Sequence, residues 1–224
     1  MSARNNRKHE INSRDQKIKN LQIKEYFSDL WDDASKQIIR KMISDTIDVF
    51  TKNNDTIFLF YGSLLGFARN ESIIPWDGDV DFFVDFVNRP TKSFDDLKLR
   101  GYSLLGSNNT HKRIYRQDGL KTRKNWTWPW IDFYNFEIKK DNIHFLQNQE
   151  EPFYVCDVNE IFPLQKKKFE TIDVYVPNVV DKHLDRIYPD WQNIYENSKV
   201  RHKILQRRKT IIRITKDELN DSQC

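Results

Sequence analysis

The sequence contains few cysteines and no long apolar run. Cys156 and Cys224 are the only cysteines among its 224 residues, so a disulfide framework cannot hold the fold together. No stretch of about 18 or more apolar residues occurs, so we expect no membrane-spanning helix. The N-terminal residues also lack the apolar core of a secretory signal peptide. These absences predict a protein of the cytoplasm or another reducing compartment.

Aromatic residues are missing from both ends of the chain, where positive charge is concentrated. Residues 1–24 carry seven Lys or Arg and two acidic residues, and residues 199–224 carry eight and three, so each end has a net charge of +5. Since the whole chain carries +4, the segment between them carries −6. Nucleic-acid binding usually combines a basic stripe with aromatic side chains. We therefore expect solvated ends without firm evidence for a nucleic-acid partner, and a weak attraction to phosphate-rich surfaces is the alternative. The predicted parts are a flexible basic extension (1–25), a globular domain (26–198), and a basic C-terminal helix and tail (199–224).

The first strong structural signal is an apolar run from Thr56 to Tyr61, which indicates a buried strand. An amphipathic helix from Ser28 to Phe50 precedes it. Gly62 permits a turn after the strand, and Ser63 is a preferred N-terminal cap, so we predict a short helix from Leu64 to Arg69. The start of such a helix favours an anion. Gly62 and Ser63 are therefore candidate phosphate-binding residues.

Aspartates then alternate along a second strand. Asp77, Asp79 and Asp81 fall on one side of it, and Asp79 and Asp81 share a face because side chains repeat every two residues. Two carboxylates this close repel each other unless a cation lies between them. Asp132 stands at the start of a later apolar strand, where a charge is rarely buried unless it is paired or bound to a metal. The pattern predicts an oxygen-ligated divalent ion, such as magnesium.

The remainder of the chain alternates short strands and helices. The predicted segments are a helix at 92–99, strands at 102–105, 112–116, 131–138 and 142–146, a hairpin of 160–164 with 169–176 joined by Lys166–Lys168, and helices at 178–187 and 199–214. No internal repeat is present. This order predicts an α+β fold, with a mixed β-sheet flanked by helices.

Two metal-binding alternatives share the spacing of these aspartates. A calcium-binding EF-hand loop starting at Asp77 requires Gly at its sixth position and Glu at its twelfth. The chain has Phe82 and Asn88 there, which excludes that loop. A DxD nucleotide-sugar glycosyltransferase usually places a larger nucleotide-binding half before its aspartates than precedes Asp79 here. We keep it as an alternative.

The nucleotidyltransferase pattern fits better. It requires a strand, a Gly-Ser turn, a strand bearing acid-x-acid, and a third acid on a later strand. Gly62-Ser63, Asp79 with Asp81, and Asp132 supply these features in that order. Phosphoryl transfer depends mainly on positioning and charge neutralisation. Two carboxylates would hold the metal against a diphosphate, and the third would complete the site or accept a proton.

These residues resemble the LicD/fukutin family. The segment GSLLGFARNESIIPWDGDVDFFV is similar to that family's G-[ST]-LLG-x-x-R and IPWD-x-D-x-D motifs, PWIDFYNFE to its later strand, and EIFPLQKKKFETIDVYVPNVVDKHLDRIYPDW to its closing part. The resemblance covers roughly Ile38 to Trp191. It implies a nucleotidyltransferase-like fold and the transfer of a phospho-alcohol, such as phosphocholine or ribitol phosphate, from a CDP-linked donor to a glycan hydroxyl, with release of CMP.

The resemblance and the pattern together give the candidate site residues. Asp79 and Asp81 are expected to bind Mg²⁺ or Mn²⁺, with Asp132 as third ligand or base. The expected substrate-binding residues are Gly62, Ser63, Arg69, Trp76 and Asp77, of which Arg69 would contact phosphate and Asp77 would support the neighbouring aspartates. The functional alternatives are nucleotidyl transfer that releases pyrophosphate from an NTP, the DxD glycosyltransferase, and a non-catalytic anion-binding module.

Histidine and cysteine carry no separate signal. The five histidines (His9, His111, His144, His183 and His202) lie far apart in the sequence, and none has the spacing of a metal ligand. Cys156 has no histidine close to it in the sequence. We expect Cys156 to be chemically inert.

Overall fold

The computed structural model describes residues 19–21, 23–87, 89, 91–106, 109–146, 152–198 and 211–223. The helices are α1 (Asp33–Lys52), α2 (Tyr61–Asn70), α3 (Ser93–Leu99), α4 (Val158–Ile161), α5 (Val180–Ile187) and α6 (Lys216–Gln223). The strands are β1 (Ile57–Leu59), β2 (Asp79–Val84), β3 (Tyr102–Leu105), β4 (His111–Lys121), β5 (Thr127–Lys139), β6 (Asn142–Leu146), β7 (Pro152–Asp157), β8 (Gln165–Phe169), β9 (Ile172–Val176), β10 (Ile194–Ser198) and β11 (Ile211–Thr215). Within these ranges no helix has the length and apolar character to cross a membrane.

Seven strands form one mixed sheet. Its main order is β1-β2-β5-β4-β3, and β6 and β7 extend it from the second half of β5. Strands β2 and β5 run parallel, whereas β5 is antiparallel to β4. Both faces of β5 are buried over most of its length, as expected for a central strand covered by helices. The predicted α+β class, with a mixed sheet flanked by helices, is confirmed.

Helix α1 covers part of this sheet with the apolar side that the sequence predicts. Ile39, Met42 and Ile43 are fully buried, and the Phe50 ring lies 5.7 Å from the ring of Phe133 on β5. Each large apolar side chain buried in this way contributes about 1.5–3 kcal/mol. The helix begins at Asp33, later than predicted, because the Asp32 carboxylate accepts a hydrogen bond from the Ser35 amide (2.8 Å) and caps the first turn.

The turn after β1 differs from the prediction. Helix α2 starts at Tyr61, so Gly62 and Ser63 lie inside its first turn and do not precede it. The prediction that Ser63 caps this helix is wrong. Its hydroxyl instead accepts a hydrogen bond from the Asp81 amide (2.8 Å), because Ser63 is buried against β2.

The hairpin near residue 170 is also shifted from its predicted place. Residues 158–161 form α4, and β8 pairs with β9 through a turn at Glu170 and Thr171. Lys166–Lys168, predicted as the turn, lie within β8 with their side chains exposed. Both turn residues have positive φ (51° and 71°) without being glycine or asparagine, so the sequence gives no turn signal there.

The predicted basic helix at 199–214 is wrong for its last residues. Residues 211–215 form β11, which pairs antiparallel with β10, and residues 199–210 lie outside the described ranges. The β-branched residues Ile211, Ile212 and Ile214 favour a strand. Ile214 is buried in a small second core that also contains Leu219 and the N-terminal residues Ile23, Tyr26 and Phe27. The proposed division at 25 and 198 stays a prediction.

Candidate active site

Three carboxylates converge where β2 and β5 run side by side. Asp79 and Asp81 share one face of β2, and the parallel register places Asp132 beside Asp81. One oxygen from each of the three side chains lies within 4.8 Å of the others. Asp81 and Asp132 are buried, and Asp79 is partly exposed. The predicted cluster is therefore brought together in space, and it has the composition of an oxygen-ligated metal site.

The negative charges of these three carboxylates repel one another. Burial, reinforced by the charge of Asp132, raises the pKa of Asp79 to about 7. Burial and the charge of Asp79 raise the pKa of Asp81 well above its usual range. The two carboxyls of β2 thus hold protons at pH values where exposed aspartates are ionised. A cation at this position would take the place of those protons.

Asp132 has a different environment because strand β4 supplies positive charge to it. Arg113 lies opposite Asp132 in the β4–β5 register and donates two hydrogen bonds to its two oxygens, both of 2.6 Å. The His111 ring lies 2.9 Å from Oδ1 of the same carboxylate through Nε2. Although burial alone would raise the pKa of Asp132, these contacts with His111 and Arg113 hold that pKa below its usual value.

Arg113 and His111 are site residues that the sequence interpretation missed. Neither belongs to a recognisable motif, and their contact with Asp132 depends on strand register, which sequence patterns specify poorly here. The only available signal was a buried carboxylate that required a partner.

Trp130 links the carboxylates of the two strands. Its indole N–H lies 3.0 Å from Oδ2 of Asp79 and 3.2 Å from Oδ2 of Asp132. The Arg113 guanidinium stacks over the same ring at 4.5 Å and over Trp126 at 4.9 Å. This neutral donor and the stacked cation hold the carboxylates in fixed positions.

The segment before β2 fixes Asp77 next to the cluster. The Asp77 carboxylate accepts a hydrogen bond from the amide of the next residue, Gly78 (2.9 Å). The indole N–H groups of Trp31 and Trp128 donate to the backbone carbonyls of Asp77 (2.8 Å) and Gly78 (2.7 Å). The role of Asp77 as a supporting residue stays a prediction.

Gly62 lies against these aspartates and could not carry a larger side chain without a shift of its neighbours. A Cβ at this position would be 2.1 Å from Oδ2 of Asp77 and 4.0 Å from Oδ2 of Asp81. The backbone of the first turn of α2 therefore approaches the carboxylates closely. This close approach is a physical reason for glycine in the Gly-Ser pair.

A cavity of about 710 Å³ opens beside this turn. Its lining includes four of the predicted site residues and two residues from the C-terminal part of the chain: Gly62, Arg69, Trp76, Asp77, Tyr188 and Arg213. The cavity adjoins the carboxylate cluster through Gly62 and Asp77. Ser63 does not line it, because its hydroxyl is turned toward the Asp81 amide.

Arg69 lines the cavity while also holding α2 to Trp191 and to the start of β10. Its Nη2 donates to the carbonyls of Trp191 (2.7 Å) and Ile194 (2.8 Å), and its guanidinium lies 4.1 Å from the centre of the Tyr195 ring. Burial lowers the pKa of Arg69. The predicted phosphate contact of Arg69 stays a prediction, because some of its N–H groups already donate to backbone carbonyls.

The chain is similar to several known proteins. Residues 54–179 match the family model described as LicD/FKTN/FKRP, nucleotidyltransferase domain. An uncharacterized protein of Rickettsia typhi is 32% identical over 152 residues, which cover 67% of this chain and 45% of the relative. One of Rickettsia prowazekii is 29% identical over 156 residues, covering 67% of this chain and 54% of the relative. The chain thus spans about half the length of these curated relatives.

Among solved structures, the crystal structure of a lincosamide antibiotic adenylyltransferase with bound lincomycin aligns at a TM-score of 0.38 and 14% sequence identity. The alignment covers 63% of this chain and 79% of that chain.

Proposed function

The chain belongs to the LicD/FKTN/FKRP nucleotidyltransferase family, and from that premise we propose that it is a metal-dependent phosphotransferase. In this proposal it moves a phospho-alcohol, of the phosphocholine or ribitol phosphate kind, from a CDP-linked donor to a glycan hydroxyl and releases CMP. The observation that carries the proposal is the convergence of Asp79, Asp81 and Asp132 beside the first turn of α2.

The carboxylate cluster fits a hard divalent ion. Its ligand atoms are all oxygens, which Mg²⁺ and Mn²⁺ prefer. The raised pKa values of Asp79 and Asp81 indicate two carboxyls that lack a compensating cation. We therefore assign Asp79 and Asp81 as metal ligands. Asp132 would complete the site as third ligand or base. Either role requires Asp132 to lose one of the hydrogen bonds that it accepts.

The reaction forms one phosphodiester bond and breaks one bond of the donor diphosphate. The acceptor hydroxyl oxygen bonds to the phosphorus that bears the alcohol, the bridging oxygen leaves with CMP, and the hydroxyl proton passes to Asp132 or to water. When bound, the divalent ion would neutralise charge on the diphosphate. Asp79 and Asp81 would hold the donor phosphates in place through it, and Arg113 would keep Asp132 oriented.

The cavity beside α2 is the proposed place for the donor. Gly62 places the backbone of the first helical turn at the edge of this space, and Asp77 borders the same space. We propose that Arg69 contributes positive charge at short range to this cavity. Trp76 would form a flat wall for the nucleotide or the alcohol.

The first test is turnover and product analysis with the whole chain. CDP-choline, CDP-ribitol, CDP-glycerol and NTPs are incubated with Mg²⁺ or Mn²⁺ and a panel of glycans. We expect CMP from one of the CDP donors and a loss of at least about 10³-fold in Asp79→Asn and Asp81→Asn. Asp118→Asn, which changes an exposed aspartate paired with Arg116, is the matched control and should stay active.

Two results would contradict the proposal. Release of pyrophosphate from an NTP, without CMP from any CDP donor, would replace it with nucleotidyl transfer. Full activity in either Asp79→Asn or Asp81→Asn would remove the metal assignment.

A further inference from the structure

A second cluster of potential metal ligands lies outside the carboxylate site. Cys156 near the end of β7, Glu160 in α4 and His183 in α5 each offer one ligand atom, and these atoms lie within 4.8 Å of one another. All three residues are buried. The sequence did not indicate the cluster, because His183 is distant from Cys156 along the chain and the fold alone brings them together.

His183 has the features of a metal-ligating histidine. Its side chain is fully buried, and its Nδ1 lies 3.1 Å from the Tyr154 hydroxyl. Its Nε2 has no hydrogen-bond partner among the residues that the structure describes. A buried polar atom without a hydrogen-bond partner is energetically unfavourable. Metal-bound histidines usually have their second ring nitrogen held by a hydrogen bond, as Tyr154 holds this one.

The surroundings of His183 keep the imidazole neutral, which is the form that binds metals. Burial lowers the pKa of His183 to about 4. The rings of Phe60 and Phe145 lie 5.7 Å and 6.3 Å from the imidazole and form part of an apolar wall. In the tautomer that donates its Nδ1–H to the Tyr154 hydroxyl, the lone pair of Nε2 is free to bind an ion.

Glu160 supplies a carboxylate that stays ionised. Hydrogen bonds from Arg186, together with one from Lys182, lower the pKa of Glu160. Arg186 donates to both Glu160 oxygens (2.6 Å and 3.1 Å), and Lys182 donates to Oε1 (3.1 Å). A carboxylate can accept about four hydrogen bonds, so three donors leave one acceptor position for a metal ion.

Cys156 supplies the sulfur that distinguishes this cluster from the aspartates. Burial raises the pKa of the Cys156 thiol to about 12, so without a metal it stays protonated. A divalent ion that binds the sulfur displaces that proton to solvent. The resulting thiolate balances one charge of the ion, and the ion shares the Glu160 carboxylate with Arg186 and Lys182.

From these contacts we propose that Cys156, Glu160 and His183 bind one zinc-class divalent ion, at a site separate from the carboxylate cluster. Sulfur, imidazole and carboxylate ligands suit Zn²⁺ and not Mg²⁺. Ligand atoms around a tetrahedral zinc lie about 3.4–3.6 Å apart, so a pair at the 4.8 Å limit would need to approach by about 1 Å. The ion would join β7, α4 and α5.

Metal analysis of the whole chain tests this proposal. The protein is prepared without a polyhistidine tag, supplied with equimolar Zn²⁺, passed over a desalting column and analysed for metals. We expect about one zinc per chain, its loss in Cys156→Ser and His183→Gln, and its retention in the control His144→Gln. Asp81→Asn should also retain zinc, which separates this result from failure of the proposed transferase activity.

The cobalt form of the unmodified chain gives a readout that does not depend on the variants folding. Co²⁺ at this site should produce a thiolate-to-cobalt charge-transfer absorption. Absence of that band, or zinc retained in both Cys156→Ser and His183→Gln, would overturn the proposal and leave a purely hydrogen-bonded cluster.

Discussion

Two buried clusters in the described part of the chain differ in how their charges are compensated. The site at β2 and β5 gathers three carboxylates, and Arg113 and His111 hydrogen-bond to Asp132. The cluster around His183 mixes a thiol, a neutral imidazole and one carboxylate that Arg186 and Lys182 compensate. The first is electrostatically strained without a cation, whereas the second holds a single compensated charge. The aspartates were recognisable from sequence because two of them alternate along one strand, whereas the fold alone brings His183 close to Cys156.

The largest effect on the free energy of unfolding should come from replacing Arg113, whose guanidinium hydrogen-bonds to Asp132. Arg113→Met leaves Asp132 buried without its bidentate partner, so we expect a loss of about 3–5 kcal/mol in the free energy of unfolding. Urea denaturation of the metal-free protein measures it. Arg116→Met is the control, because it breaks an exposed pair with Asp118 and should cost about 1 kcal/mol or less. Equal losses in the two variants would mean that Arg113 does not compensate the cluster.

Opposite pH responses should separate the two clusters in the metal-free protein. The folded pKa of Asp79, about 7, exceeds its unfolded value, so the folded state binds the extra proton and loses stability as pH rises from about 4 to 7. The folded pKa of His183, about 4, lies below its unfolded value, so stability is lost as pH falls from about 6.5 to 4.

The variants Asp79→Asn and His183→Gln isolate these two contributions. Compared with the unmodified chain, Asp79→Asn should lose less stability as pH rises from about 4 to 7. His183→Gln should lose less stability as pH falls from about 6.5 to 4. Curves parallel to that of the unmodified chain would contradict the assigned pKa directions.

Much of the carboxylate site could be predicted from sequence, since alternation along a strand places Asp79 and Asp81 on one face whatever the rest of the fold does. Asp132 was also predictable as a buried charge in need of a partner. Arg113 and His111 could not be identified, because their contacts depend on the register between β4 and β5. Ser63 was assigned to the wrong contact because the helix begins at Tyr61, before the Gly-Ser pair.

The fold was predictable to a similar extent. The α+β class and most central strands follow from apolar periodicity. The turn at Glu170 and Thr171 lacks the residues that usually mark it, and Glu170 is held there by Arg40 (2.8 Å) and by the Ile73 amide (3.0 Å), both distant in sequence. The strand at 211–215 was predicted as helix because its partner β10 is not recognisable from local pattern.

Mn²⁺ binding tests most directly whether Asp79 and Asp81 hold the divalent ion of a phosphotransferase site. Electron paramagnetic resonance counts the free Mn²⁺ that remains when the protein, with CDP-choline present, is titrated. We predict one bound Mn²⁺ per chain that is lost in Asp81→Asn and retained in Cys156→Ser. Equal Mn²⁺ binding by the unmodified chain and Asp81→Asn would contradict the account.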